Sequence, residues 1–238
     1  MIKKRRAMTT VGCALCIAAV GAFTGCSKDN SASEPVLPDV QTGGYVTFGS
    51  YEQDNDLSNG KEDIEWLVLA REDNKALLIS KYALDVQPYS QHITEVPWEN
   101  SFIRKWLNDT FLNEAFSLEE QDSIIMSTVT ADENPLHKLS QGNDTQDKVF
   151  LLSAAEAYEY FETDSERICE MTDYCYAQSP NLTRLPGWWL RSLNAEHVAA
   201  VIDPFKGNVQ IGGDYVTTIS PDIRPSIWID LEIADLKM

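Results

Sequence analysis

The chain has 238 residues, of which 43% are hydrophobic and 10% aromatic. That is enough apolar material for a sizeable core, so global disorder is excluded. Its 19 Lys and Arg stand against 37 Asp and Glu, for a net charge of -18. Such acidity argues against nucleic acid as a partner, because phosphate contacts need clustered basic residues. It argues equally against docking of the folded body on an anionic membrane.

Lys3, Lys4, Arg5 and Arg6 form a positive start, followed by an uncharged, mostly apolar stretch from Ala7 to Phe23. Phe23-Thr24-Gly25-Cys26 follows, and the whole resembles the signal and lipobox of bacterial lipoproteins. The resemblance implies that residues 1–25 are a signal peptide and that lipid is attached to Cys26. The protein is then held on the extracellular face of the cell membrane by that anchor. The apolar run is short for a membrane span of roughly 20 residues. Cys13 and Cys16 leave with the signal, so Cys169 and Cys175 are the remaining thiols, too few for a disulfide scaffold. Residues 26–44 read as anchor and flexible tether. They are rich in Ser, Asp, Pro and Gly, and Val36, Leu37 and Val40 are too few to build a core. Pro35 and Pro38 bias Glu34 and Leu37 towards extended backbone.

The body, 45–233, shows no repeat and no second linker and reads as one domain, with 234–238 as a tail. Tyr45-Val46-Thr47-Phe48 alternates like a strand, and 64–69 and 76–80 form a hairpin about the turn 72–75. Asn100 or Ser101 caps a helix whose Phe102, Ile103, Trp106, Leu107 and Phe111 share a face. Ser117 with Glu120, and Ser153 with Glu156, are capping-box patterns opening two more helices. A further helix is expected over 165–177. Strands return at 187–192, at 198–203 and 209–211 about a turn at 204–208, and at 223–230, where Pro225 marks an edge, a bulge or a strand start. The order strands, helices, strands predicts an α+β fold with mixed antiparallel sheets and two to four helices in mid-chain. The apolar strands at the two chain ends are expected to lie side by side, 45–48 against 223–230.

The ordered blocks Val46-Thr47-Phe48-Gly49-Ser50-Tyr51, Ile64-Glu65-Trp66-Leu67-Val68-Leu69, Ala76-Leu77-Leu78-Ile79-Ser80-Lys81, Arg104-Lys105-Trp106-Leu107-Asn108, Asp147-Lys148-Val149-Phe150-Leu151-Leu152-Ser153, Trp188-Trp189-Leu190-Arg191-Ser192 and Ile223-Arg224-Pro225-Ser226-Ile227-Trp228-Ile229 resemble a bacterial domain-of-unknown-function family. That family occurs in surface lipoproteins of Gram-positive gut bacteria and brings no assigned activity. The sequence departs from it at Leu193-Asn194, where the family has Pro-Gly, and at Cys175. The Trp-rich strand, the hairpin and the final Arg-Pro strand also resemble C-type-lectin-like folds, including formylglycine-generating enzymes. This second resemblance implies a single lectin-like domain with both chain ends in one sheet.

No Gly-rich phosphate loop, Gly-x-Ser-x-Gly elbow or His-Glu-x-x-His helix is present. His92, His137 and His197 are scattered, and no metal or cofactor is expected. Asp and Asn around 203–214 have the oxygen chemistry of a calcium site but not the EF-hand spacing. Cys169 and Cys175 are open between free thiols, a disulfide and catalysis. On a continuous helix their spacing gives about 9 Å of rise, too far for a bridge, so a disulfide needs a helix break near 171–173. The expected ligand face is Trp188, Trp189, Arg191, Asn194, His197, Asp203, Asn208, Gln210, Asp214 and Tyr215. One of two adjacent strand tryptophans is expected at the surface, placed to stack on a sugar or peptide. The competing reading packs both tryptophans and puts Arg191 and Arg224 in internal ion pairs. The functional expectation is an extracellular binding module for a glycan, cell-wall or surface-protein ligand. The alternatives are an enzyme of formylglycine-generating type, a cryptic hydrolase, or a structural envelope protein.

Overall fold

A computed structural model describes residues 38–93, 96–179, 187–210, 212–219 and 221–237. The signal peptide, Cys26 and the tether as far as residue 37 lie outside these. Alternation along β2 (Glu62–Glu72) buries Ile64, Trp66 and Val68, and β2 folds back on β3 (Lys75–Ser80) with Glu72 opposite Lys75. The turn between them puts Asp73 at φ 50, a conformation that Asp tolerates better than most residues. β1 (Tyr45–Tyr51) runs antiparallel to β2, with a bulge between Thr47 and Ser50. Gly49 sits in that bulge at φ +68, and a Cβ there would fall 2.5 Å from the Phe116 ring.

Two short strand pairs of mid-chain and C-terminal sequence accompany this hairpin. β4 (Asp85–Val86) pairs with β11 (Asp222–Ile223), and β5 (Ser127–Val129) with β6 (Thr145–Asp147). β7 (Val149–Phe150) and β12 (Ser226–Asp230) complete the main sheet, in the order β1-β2-β3-β12-β7. A second sheet is ordered β10 (Asp214–Tyr215), β9 (Val198–Val201), β8 (Trp189–Ala195). Every named strand pair is antiparallel and the helices lie between, so the fold is α+β as expected.

The expected pairing of first and last strands is corrected. β12 lies between β3 and β7, beginning just after Pro225, while β1 is an edge. Leu77, Leu78 and Ile79 of β3 are buried, so its free side demands a neighbour as apolar as Ile227 and Ile229. The open side of β1 is met by the last residues instead. Thr47 and Lys237 exchange backbone bonds of 2.8 and 3.2 Å, so 234–237 is docked rather than a loose tail. The tether is also shorter than expected. Val40 is buried in the core, its carbonyl accepts from Arg71, and Gly43 and Gly44 bond the backbone of Val68.

The helix over 102–115 is capped by Ser101, whose Oγ accepts from the Arg104 N–H at 3.2 Å. It runs as α1 (Phe102–Trp106), a π-turn at 107–111 and α2 (Leu112–Ala115), burying Ile103, Leu107, Phe111 and Ala115. Both expected capping boxes are present, on α3 (Leu118–Ser123) and α4 (Ala154–Tyr160). The helix expected over 165–177 is broken. A 3-10 turn ends at Arg167, and α5 (Asp173–Gln178) starts afresh on a Thr172 cap. Between them the backbone is claimed by Ala83, which donates to the Glu170 carbonyl and accepts from Thr172. Among the described residues no helix is long and apolar enough to cross a membrane.

Candidate functional site

The structure places the expected ligand face mostly inside the protein. Trp188 and Trp189 are 2% and 0% exposed, so neither offers a ring for stacking. Both faces of β8 are covered. Trp188 Nε1 donates to the Arg167 carbonyl at 2.9 Å, and Trp189 Nε1 to the Gln87 carbonyl at 3.0 Å, with Tyr89 edge-on at 5.7 Å. Arg191 is buried and pairs with Glu156 and with Asp132 (3.0 Å), while also donating to the carbonyls of Thr130 and Leu151. It sits beside a crevice of about 10 Å³, room for a single water. Among the described residues Arg224 forms no such pair. Its guanidinium stacks 5.2 Å from the Trp188 ring and 5.6 Å from Phe161, and its Nε donates to the Ser80 carbonyl.

The polar members of the face serve turns. Buried Asn194 accepts from Asn134 and donates to the Gln210 carbonyl. Asp203 Oδ1 accepts from the N–H groups of Phe205 and Lys206, and its Oδ2 from Gln210 at 3.4 Å. Asn208 donates to the Val209 carbonyl, and Asp214 Oδ1 accepts from Tyr215 N and Thr218 Oγ1. Tyr215 is exposed, and half-exposed His197 lies 4.0 Å from Glu196. These groups point to separate turns rather than to one cavity.

A cavity of about 340 Å³ lies beside them, where the helix break, the 204–208 turn and β11 meet. That volume falls in the range of small-ligand pockets. The extended stretch held by Ala83 contributes Ile168, Cys169, Glu170 and Met171, and α5 contributes Tyr176. Phe205 comes from the tip of the turn that Asp203 braces, and Gly187 and Asp222 close the wall. Gly187, at φ +69, passes so close to Ile202 that a Cβ would fall 1.8 Å from its carbonyl oxygen. Its own carbonyl accepts from the Asp222 N–H at 2.8 Å.

The lining divides by exposure. Ile168, Tyr176 and Phe205 are 40%, 44% and 71% exposed, three large apolar side chains converging on one opening. Asp222 is 4% exposed, and among the described residues its Oδ1 has no hydrogen-bond partner. Burial alone pushes its pKa up to about 8, so at neutral pH it is chiefly a neutral acid able to donate a hydrogen bond. Cys169 and Cys175 are free thiols, although the helix between them does break. Their Sγ atoms donate to the carbonyls of Lys81 and Asp85. Burial raises both pKa values, so neither is a ready thiolate. The arrangement is suited to hold a ring against an aromatic rim and to give one hydrogen bond from the floor. Sequence reasoning missed this site. Its visible signals were an aromatic at the tip of a Pro-Phe-Lys-Gly turn and an acid beside Ile223 in an apolar strand.

Among known proteins, the family model described as "Domain of unknown function (DUF6273)" matches residues 73–231. The match takes in the whole pocket and leaves out β1 and β2, which the same sheet includes. No curated protein and no solved structure matches the chain.

Proposed function

This chain belongs to the DUF6273 family, and we propose that it is a lipid-anchored binding module on the extracellular face of the cell membrane, with its ligand site at Asp222. The observation that carries the reading is the 340 Å³ pocket with an apolar rim of Ile168, Tyr176 and Phe205 over a neutral, unpartnered acid. A sugar ring of a glycan or cell-wall fragment fits that chemistry. One face stacks on Phe205 or Tyr176, and a carbonyl or hydroxyl oxygen accepts from Asp222. The basic, apolar and Gly-Cys elements through Cys26 support the anchor, and Cys26→Ser should move the protein out of the membrane fraction. Thr47 bonding Lys237, with β1 and β12 in one sheet, supports the lectin-like reading of the fold. Fold alone says nothing about activity.

One feature favours the hydrolase reading. A carboxyl titrating near 8 is also what a general acid needs, and Glu170 lines the same pocket. One experiment separates the two. The full chain, labelled and held in detergent, is screened on glycan and cell-wall arrays, and hits are assayed for cleavage. Binding without turnover is expected. Phe205→Ala should weaken it at least fivefold with an unchanged Tm, because Phe205 is exposed and carries little of the core. Binding should decline as pH rises through about 8, when Asp222 loses its donor. Cleavage of a hit establishes the hydrolase, and a Phe205→Ala variant that binds as the parent does removes the site.

A further inference from the structure

The connection between β1 and β2, residues 52–61, is long for a hairpin and gathers acids. Glu52 is only 7% exposed, and its Oε1, shut off from solvent, has no hydrogen-bond partner among the described residues. One carboxylate oxygen each from Glu52, Asp54 and Glu62 lie within 4.8 Å of one another. The other two are held in place. Glu62 Oε2 accepts from the N–H groups of Gln53 (2.7 Å) and Asp54 (3.3 Å), and Asp54 accepts from Asp56 N–H and Asn59 Nδ2. Lys61, the loop's one cation, reaches away to the Glu114 carbonyl at 2.6 Å. No basic side chain pairs with any of the three among the described residues.

Three converging carboxylates, one of them buried with an orphan oxygen, are costly unless a positive charge joins them. We infer that Glu52, Asp54 and Glu62 form a calcium-binding site in the β1–β2 loop. An all-oxygen donor set selects hard cations over zinc or copper. Oxygens that all lie within 4.8 Å of one another are close enough to share one calcium ion, whose ligands sit at about 2.3–2.6 Å. Magnesium, at roughly 2.1 Å, keeps its waters and demands strict octahedral geometry, which three side chains of a loop are less suited to supply. The site is independent of the pocket at Asp222, lies outside the 73–231 family match, and differs from the 203–214 region that the sequence suggested for calcium.

The test is titration calorimetry of the full chain in detergent, stripped with chelator, with CaCl2 and MgCl2 at fixed ionic strength. One calcium site is expected, with Kd between roughly 10⁻⁴ and 10⁻³ M, the range of extracellular modules, and with a Tm that climbs as calcium is added. Glu52→Gln and Asp54→Asn should each weaken binding at least tenfold, while Asp122→Asn, an exposed acid on α3, should bind as the parent does. If Glu52→Gln fails to fold, Asp54→Asn decides, because Asp54 is exposed. No saturable binding up to roughly 10 mM calcium overturns the inference. So do equal affinities for magnesium and calcium, or site variants indistinguishable from Asp122→Asn, since either result is adsorption to an acidic surface.

Discussion

Burial shuts Asp222 Oδ1 off without a hydrogen-bond partner among the described residues, and its carboxyl titrates near 8 instead of near 4. In the unfolded chain the same group ionises at about 3.9. Between these values the unfolded state releases a proton that the folded state keeps, so stability falls as pH rises. The contribution is fully present below about 4 and lost once pH passes 8. Asp222→Asn keeps the shape and a donor but does not titrate. Calorimetric Tm values of variant and parent should therefore agree at low pH and diverge as pH rises, the variant ahead by several degrees at pH 9. Other acids affect both proteins alike, so the difference isolates this one group. A constant difference across the range would mean that Asp222 ionises normally. The sequence did not expose this residue, since an isolated acid among 37 is indistinguishable from a solvated one until burial is known. Arg191 shows the converse. Beside two tryptophans it read as a recognition residue, yet Glu156 and Asp132 absorb its charge.

Elements whose signals are local were legible. Ser117 with Glu120 and Ser153 with Glu156 cap helices because each pair satisfies its own free N–H groups within three residues. The β2–β3 hairpin followed from alternation about a four-residue turn. Elements decided by distant partners were not. Residues 168–172 carry no strong breaker, and it is Ala83, more than eighty positions earlier, that takes the Glu170 carbonyl and the Thr172 N–H where the helix is broken. That break forms the pocket wall, so the site was hidden along with it. At the start of β8 Trp188 and Trp189 are adjacent and face opposite ways, but alternation predicts an exposed partner only where one face is wet. Here Arg224 covers one side and Tyr89 the other. The calcium loop escaped for a related reason. Its spacing matches no familiar motif, and the convergence of Glu52 with Glu62 depends on Tyr51 pairing opposite Glu62.

For the whole molecule, the position of β12 inside the main sheet makes the chain's last third a condition of the fold. β12 bridges β3 and β7, and Ile227, Ile229 and Leu231 are almost fully buried. Burying one such side chain is worth about 1.5–3 kcal/mol, against a total stability of roughly 5–15 kcal/mol for a domain. Deleting 222–238 removes these three, β11 with it, and the backbone partners of β3 and β7. The loss is comparable to everything the domain has, so the truncated chain should show no cooperative melt. Deleting only 234–238 removes the Thr47–Lys237 bonds and the exposed Lys237–Asp63 pair. Exposed ion pairs contribute little, and β1 keeps its pairing with β2. That shorter variant should melt cooperatively within a few degrees of the parent. The contrast is diagnostic of the strand order. A sheet in which the terminal strands paired directly would expose β1 alone when 222–238 is lost, and β2 and β3 would still close a hairpin. Scanning calorimetry of the two truncations decides it, and a cooperative transition near the parent temperature in the 222–238 deletion would contradict the interior placement of β12.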